Sequence, residues 1–378
     1  MALTHVGGHS GKMAGKLPPH SMNAAEILRL RLYNTGLSQS PFRSAAEAVS
    51  HLGAVQAQDF TAAKWALGLR IKNSRDSDIE RAFNEGSILR THVLRPTWHF
   101  VPPSDIRWMV ALTAPRVKAV LAHYNRKLGL DEALFARSNA AIVDALEGHN
   151  YQTRQELKLI LADIGIPTDV QRLAHIISWA ELDGLICSGP RRGNQFTYAL
   201  LDERAPEAGT LGREESCARL ALAYFTSHGP AQVKDFSWWS GLNVKDAGKA
   251  FDAVKSGLQK TEVKDKMYWF PAHPAEVQDP PPALLLSIYD EYTIAYRDRS
   301  DLSETRDIER MISMGNALTA VIIIDGRVAG TWRRSLKKHG VGIRLSPFRN
   351  LSSGQQEALR LEIARYGEFV GLPTVLEA

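Results

Sequence analysis

The feature that most limits the fold is a recurring order of elements: stretches of helical period, a glycine, then two short period-two segments around a basic turn. In the first instance "AAEILRLRLYNTG" places Ile27, Leu28, Leu30 and Leu32 on one apolar face and stops at Gly36. "SAAEAVSHLG" follows with Ser44 as N-cap and Glu47 three residues on, and "DFTAAKWALGLRI" starts at a cap supplied by Asp59 or Thr61. "SDIERAFNEG" ends the helical part at Gly86. Beyond it "SILRTHV" and "TWHFV", joined through Leu94, Arg95 and Pro96, read as a β-hairpin.

The order returns twice. "SNAAIVDALEG", "TRQELKLILADIG" and "TDVQRLAHIISWAELDG" lead into "LICSG", the tip "PRRGN" and "QFTYAL"; "EESCARLALAYFTSHG", "AQVKDFSWWSG" and "NVKDAGKAFDAVKSG" lead into "LQKTEV", the tip "KDK" and "MYWFP". Helices backed by a hairpin with a basic tip are the layout of a winged helix, so three tandem copies are expected, from element order and not from a residue period. After "QDPPP" the pattern turns to strands and a closing helix, a separate α+β or small-barrel module. The fold class expected is mainly α with α+β. The divisions are a disordered extension or cloning scar over 1–22, a first winged helix over 23–104, linker helices and a second over 105–205, a third over 206–275, and a C-terminal β-rich module over 276–378.

A chain of 378 residues is long enough for two to four such modules. No apolar run reaches membrane-spanning length and no signal-peptide core opens the sequence, so a cytoplasmic protein with no membrane partner is expected. Lys and Arg number 46 against 41 Asp and Glu, and the pI near 9.1 permits a polyanionic partner without requiring one. Cys187 and Cys217 fit neither a disulfide framework nor a zinc site. "GHSGKMAGK" lacks the spacing and flanking elements of a phosphate loop, so no nucleotide, metal or other cofactor is expected.

Several segments together resemble one family. "VQAQD", "LRTHVLRPTWHFV", "AELDGLICSGP", "HGPAQVKDFSWWSGL", "YDEYTIAYRDRS" and "DGRVAGTWRR", in this order from Asn23 to the C-terminus, are similar to the AlkZ-type tandem winged-helix DNA glycosylases. The resemblance implies that a curved basic surface holds double-stranded DNA and that Gln56 and Gln58 form the catalytic pair of the Gln-x-Gln branch, a sister branch having Asp at the second position. It also implies excision of alkylated purines, including interstrand crosslinks at guanine N7. A monomer working on the nucleoid is expected.

Two amides suit that chemistry. Glycosidic hydrolysis usually needs an acid for the leaving group and a carboxylate for the water. An N7-alkylated guanine already carries positive charge and departs neutral, which removes the need for the acid. What remains is to hold a water and aim negative dipole density at the oxocarbenium ion, and an amide oxygen does both. Residues i and i+2 of an extended linker share one side. The competing reading of "QAQ" is a solvated or capping helix junction.

The residues expected at the DNA are Arg95, Thr97 and His99 of the first hairpin, Arg191 and Arg192 of the second tip, Lys234, Tyr296, Arg297 and Arg299, and Arg333 with Arg334. Lys264 and Lys266 of the third tip are compatible with the same role, although basic turns also serve solubility alone. His92 and His99 are equally open to a packed cross-strand role, and Trp238 with Trp239 read as core. Two other functions stay open: a non-enzymatic winged-helix transcriptional regulator, and an unrelated hydrolase centred on Asp290 and Glu291.

Overall fold

The computed structural model describes residues 22–273, 277, 279–313, 319–337 and 339–377; the expected extension lies, apart from Met22, outside them. Helix α1 (Ala24–Asn34) starts at a reciprocal capping box, the Asn23 side chain accepting from the Ala25 and Glu26 amides and the Glu26 carboxylate from the Asn23 amide. Next come α2 (Ala45–Leu52), β1 (Val55–Gln56), α3 (Phe60–Gly68), α4 (Asp76–Glu85), β2 (Leu89–His92) and β3 (Trp98–Val101). Asp59, rather than Thr61, caps α3, its Oδ1 accepting from the Ala62 amide at 2.9 Å. The segment read as an extended linker contributes a strand: β1 adds to the hairpin in the order β1-β3-β2, with Gln56 opposite His99.

Helix α5 (Ile106–Lys127) leads to α6 (Glu132–Leu146), β4 (Gln152–Thr153), α7 (Arg154–Asp163), α8 (Val170–Leu182), β5 (Ile186–Ser188) and β6 (Thr197–Leu200), with sheet order β4-β6-β5. The short α9 (Leu201–Arg204) precedes α10 (Arg213–His228), α11 (Val233–Ser240), α12 (Val244–Val254), β7 (Gln259–Val263) and β8 (Lys266–Phe270). Here Ala231, between α10 and α11, bridges Trp269. All three units thus run helix, short extended segment, two helices, hairpin, and in each the short segment pairs with the second hairpin strand.

The last part holds β9 (Ala283–Leu286), α13 (Glu291–Ile294), α14 (Thr305–Ser313), β10 (Val321–Ile324), β11 (Arg327–Lys337), β12 (Gly340–Pro347), α15 (Ser353–Val370) and β13 (Thr374–Glu377). Its sheet is open, in the order β13-β12-β11-β10-β9, so the small-barrel alternative does not hold. The chain as a whole is helical with small sheets, an α plus β protein.

One apolar core joins the first unit, the third unit and the C-terminal sheet. Trp65 of α3 packs edge-on to Tyr366 of α15 at 4.9 Å and donates from Nε1 to the Leu285 carbonyl at 2.7 Å. Beside it Arg70 makes a bidentate pair with Asp290, both bonds 2.8 Å and both side chains buried. The second unit has a core of its own, in which Phe135 stacks on Trp179 at 4.1 Å above Leu157 and Ile176. Full burial of such aliphatic side chains contributes about 1.5–3 kcal/mol each.

Candidate active site and nucleic-acid interface

The Gln56 to Gln58 segment is held along its backbone from three directions. The Gln56 amide donates to Glu291 Oε1 at 2.8 Å, the Ala57 amide to the Trp98 carbonyl at 2.8 Å, and Arg90 Nε donates to the Ala57 carbonyl at 3.0 Å. Gln58 Oε1 accepts from the Trp98 amide at 3.3 Å. Gln56 is half-buried and Gln58 exposed, and Gln56 Oε1 is buried without a donor from the protein. Two amide side chains therefore stand on a backbone with little freedom, the condition for placing a small reactant.

Charge lies beneath this strand. Glu291 is fully buried; its Oε2 accepts from Trp239 Nε1 at 3.0 Å and faces His228 Nε2 at 3.5 Å. Burial raises the pKa of this carboxyl, but His228 and the Gln56 amide outweigh it and hold the group below its usual range, so it is ionised at neutral pH. His99 is pushed down to about 3, first by burial and then by Arg95, and is neutral. Its Nδ1 lies 2.9 Å from the Thr97 carbonyl, which can only accept, so Nδ1 carries the proton and Nε2 presents a lone pair that no protein group meets. Asp290 is consumed by Arg70 and by capping α13 at the Tyr292 amide. A hydrolase centred on Asp290 and Glu291 does not fit: both are buried and engaged by protein donors.

The basic hairpin turns behave differently from their expectation. Leu94, at φ 63°, packs its turn on the end of α11, where Gly241 has φ +70° and any Cβ would fall 2.1 Å from the Leu94 carbonyl oxygen. Arg95 consequently points inward, and with Arg116, Lys234, Trp238 and Arg297 it lines a cleft of about 380 Å³. Burial lowers the Arg95 pKa despite Glu291 nearby, and that of Arg299 is lowered by burial and by Arg95. Thr97 is half-buried beside them. At the second turn Arg191 pairs with Glu80 of α4 at 3.0 Å and its amide bonds Asn84 at 2.8 Å, which makes that turn a seam between units. Arg192 remains exposed but pairs with Glu156 at 2.6 Å. At the third, Lys266 pairs with Asp298 at 2.7 Å while Lys264 is exposed.

Three further expectations change. Tyr296 is a core residue and no DNA contact: it is fully buried, its hydroxyl donates to the His228 carbonyl at 2.8 Å, and Arg31 lies over its ring at 3.9 Å. His99 is likewise enclosed and cannot reach a phosphate. Of the tryptophan pair only Trp239 is core; Trp238 is 44% exposed. Lys234, Arg297 and Arg333 are exposed, whereas Arg334 is half-buried and donates to the Tyr366 hydroxyl. His92 is held by buried Glu181 and its ring lies tilted against Trp98 at 4.4 Å. Sequence reasoning missed Arg90, Arg116 and the support from Glu291, none of which carries a local signal.

Paired amides on a pinned strand, beside a cation-lined cleft, in a chain of helix-and-hairpin units, describe an enzyme that works on nucleic acid. The chain belongs to the AlkZ-like DNA glycosylase family, whose pattern matches residues 49–369. It is 24% identical over 322 residues to the interstrand DNA cross-link repair glycosylase of Streptomyces sahachiroi, covering 81% of this chain and 86% of that protein. The solved structure of the Streptomyces sahachiroi DNA glycosylase AlkZ shares the fold, with a TM-score of 0.77 at 20% identity over 95% of this chain and all of that one. The protein is thus an enzyme of the DNA glycosylase class, which sets the regulator reading aside. Among the described residues no helix is long and apolar enough to cross a membrane.

Proposed function

We propose that the protein is a monofunctional DNA glycosylase that hydrolyses the N-glycosidic bond of N7-alkylated purines in double-stranded DNA and unhooks interstrand crosslinks, working as a monomer on the nucleoid. The three helix-and-hairpin units are read as winged helices that form, with the C-terminal module, one curved basic surface. The observation that carries the reading is the Gln56 carbonyl oxygen, buried and met by no protein donor, on a strand that pairs Gln56 with His99 and is fixed by Glu291 and Arg90. In this reading a water donates one hydrogen bond to the Gln56 carbonyl oxygen and the other to His99 Nε2 or the Gln58 amide, and attacks C1′ as the alkylated base leaves neutral; one of its hydrogens stays on the new hydroxyl and the other is released as a proton to solvent. The ionised Glu291 lies below and favours the positive transition state. An exposed Gln58 suits a base that stays tied to the opposite strand and cannot turn into a deep pocket. The Streptomyces relative, named for cross-link repair, supports the same substrate class.

The test uses duplex containing N7-methylguanine, with abasic sites read by alkaline cleavage. Gln56→Ala or Gln58→Ala lowers excision by about two orders of magnitude or more, and the double variant costs far less than the product because the residues share one water. Gln58→Asp retains more activity than Gln58→Ala. Parental rates in both alanine variants would show that the amides do not carry the reaction.

A further inference from the structure

We propose that the cleft between the first hairpin turn, α5 and α11 is a subsite for one unpaired nucleotide of the DNA, which stacks its base on Trp238 and sets its phosphate on Arg95 and the cations around it. The inference rests on the reading that the substrate is duplex DNA. Trp238 is 44% exposed, and its orientation is fixed because Nε1 donates to the Ile294 carbonyl at 3.1 Å. Its neighbour Trp239 is fully buried, whereas the Trp238 indole borders the cleft. The Arg95 guanidinium lies 5.9 Å from the ring centroid, and its Nε and Nη2 are buried without an acceptor. Buried donors of a charged group demand one, and a phosphate oxygen supplies it. Lys234 sits one helical turn before Trp238 on the same face of α11, with Arg297 beside them and Arg116 on the facing wall. No carboxylate is among the described residues that line the cleft.

The shape agrees with this chemistry. The volume of about 380 Å³ falls within the ~300–1,000 Å³ of small-molecule sites. Val117 and Val120 give an apolar wall for a base, Val120 being 53% exposed. Duplex phosphates could engage the cations but have no use for a fixed indole, because paired bases hide their faces in the stack. An aromatic platform within a basic groove is the means by which proteins hold single-stranded bases. Arg95 also lies on the same hairpin as Trp98, whose amide holds Gln58, so the subsite is built into the frame of the amide pair. A nucleotide displaced near the lesion would anchor there while the damaged base stays in the duplex.

The experiment measures binding of wild type, Trp238→Ala and Trp238→Phe to a paired duplex and to the same duplex with one bulged 2-aminopurine nucleotide. Wild type binds the bulged probe more tightly and quenches its emission. Trp238→Ala loses about tenfold on the bulged probe, as expected for one stacked base, loses less than twofold on the paired one, and abolishes the quench. Trp238→Phe retains most of both, with thermal melting confirming that each variant is folded. Equal losses on the two probes would mean that the cleft takes paired backbone, and unchanged binding of the bulged probe would leave the indole without a ligand; either overturns the subsite. Failure of wild type to bind either duplex would instead refute the DNA reading itself.

Discussion

Replacing Glu291 by glutamine removes a charge while keeping the shape, and its cost follows from the bonds. Each carboxylate oxygen accepts a buried donor, the Gln56 amide at 2.8 Å on one and Trp239 Nε1 at 3.0 Å on the other. Glutamine has one acceptor oxygen, so one donor would face an NH₂ group and lose its partner. A hydrogen bond to a charged group contributes roughly 1.5–3 kcal/mol, and an orphaned buried donor costs about 1–3 kcal/mol more. A total of about 2.5–6 kcal/mol lowers Tm by roughly 3–8 °C, taking ~1.3 °C per kcal/mol for a chain of 378 residues. Because Gln56 rides on the lost bond, single-turnover excision of N7-methylguanine falls at temperatures where the variant is still folded. Thermal melting and excision on the same preparation separate the two effects. A Tm within about 1 °C of the parent together with an unchanged rate would refute the view that this carboxylate fixes β1.

Glu291 also predicts an acid dependence. Its folded pKa is depressed, so its stabilisation is present above the ordinary carboxylate value and disappears as pH falls through the lower folded value; the Tm gap between wild type and Glu291→Gln should begin to close below about pH 4. Gly241→Ala meets both a left-handed φ and the Leu94 carbonyl, and should cost more than ~1 kcal/mol while displacing Arg95 and slowing excision; wild-type melting and rate would contradict the close approach. Arg333→Ala should reduce the salt slope of duplex binding by about 1 with Tm unchanged, whereas Arg334→Ala should also lower Tm through the Tyr366 contact; a salt slope near zero in wild type would remove the DNA surface.

Local signals carried the helices, hairpins and caps: Ser44 with Glu47, and Asp59, act within three residues. The two-residue strand β1 was not legible because its pairing partner lies some forty positions on, and a pair of residues has no period of its own. Basic turns misled for a related reason. Arg191 reads as a free cation until Glu80, 111 residues away, is seen to neutralise it, and Lys266 meets Asp298 in the same manner. The Gln56 and Gln58 positions drew notice through their family resemblance, while Glu291 looked like half of an acid pair. Only tertiary packing separates Glu291 from Asp290, giving the first to β1 and the second to Arg70.

The core shared by the two ends of the chain has a consequence for biosynthesis. Trp65 finds the Leu285 carbonyl, and Arg70 finds Asp290, only after a further 220 residues have been made. At about 5–20 residues per second the ribosome needs roughly ten seconds to a minute for that distance. Throughout that interval the face of α3 that meets the C-terminal module has no partner and is open to association with other nascent chains. The middle unit, closed around Phe135, Leu157 and Ile176, needs nothing from downstream of its own hairpin. The middle unit can therefore close around its own core while the chain is still being made, whereas the strand that carries Gln56 lacks its Glu291 support until residue 291 has been made.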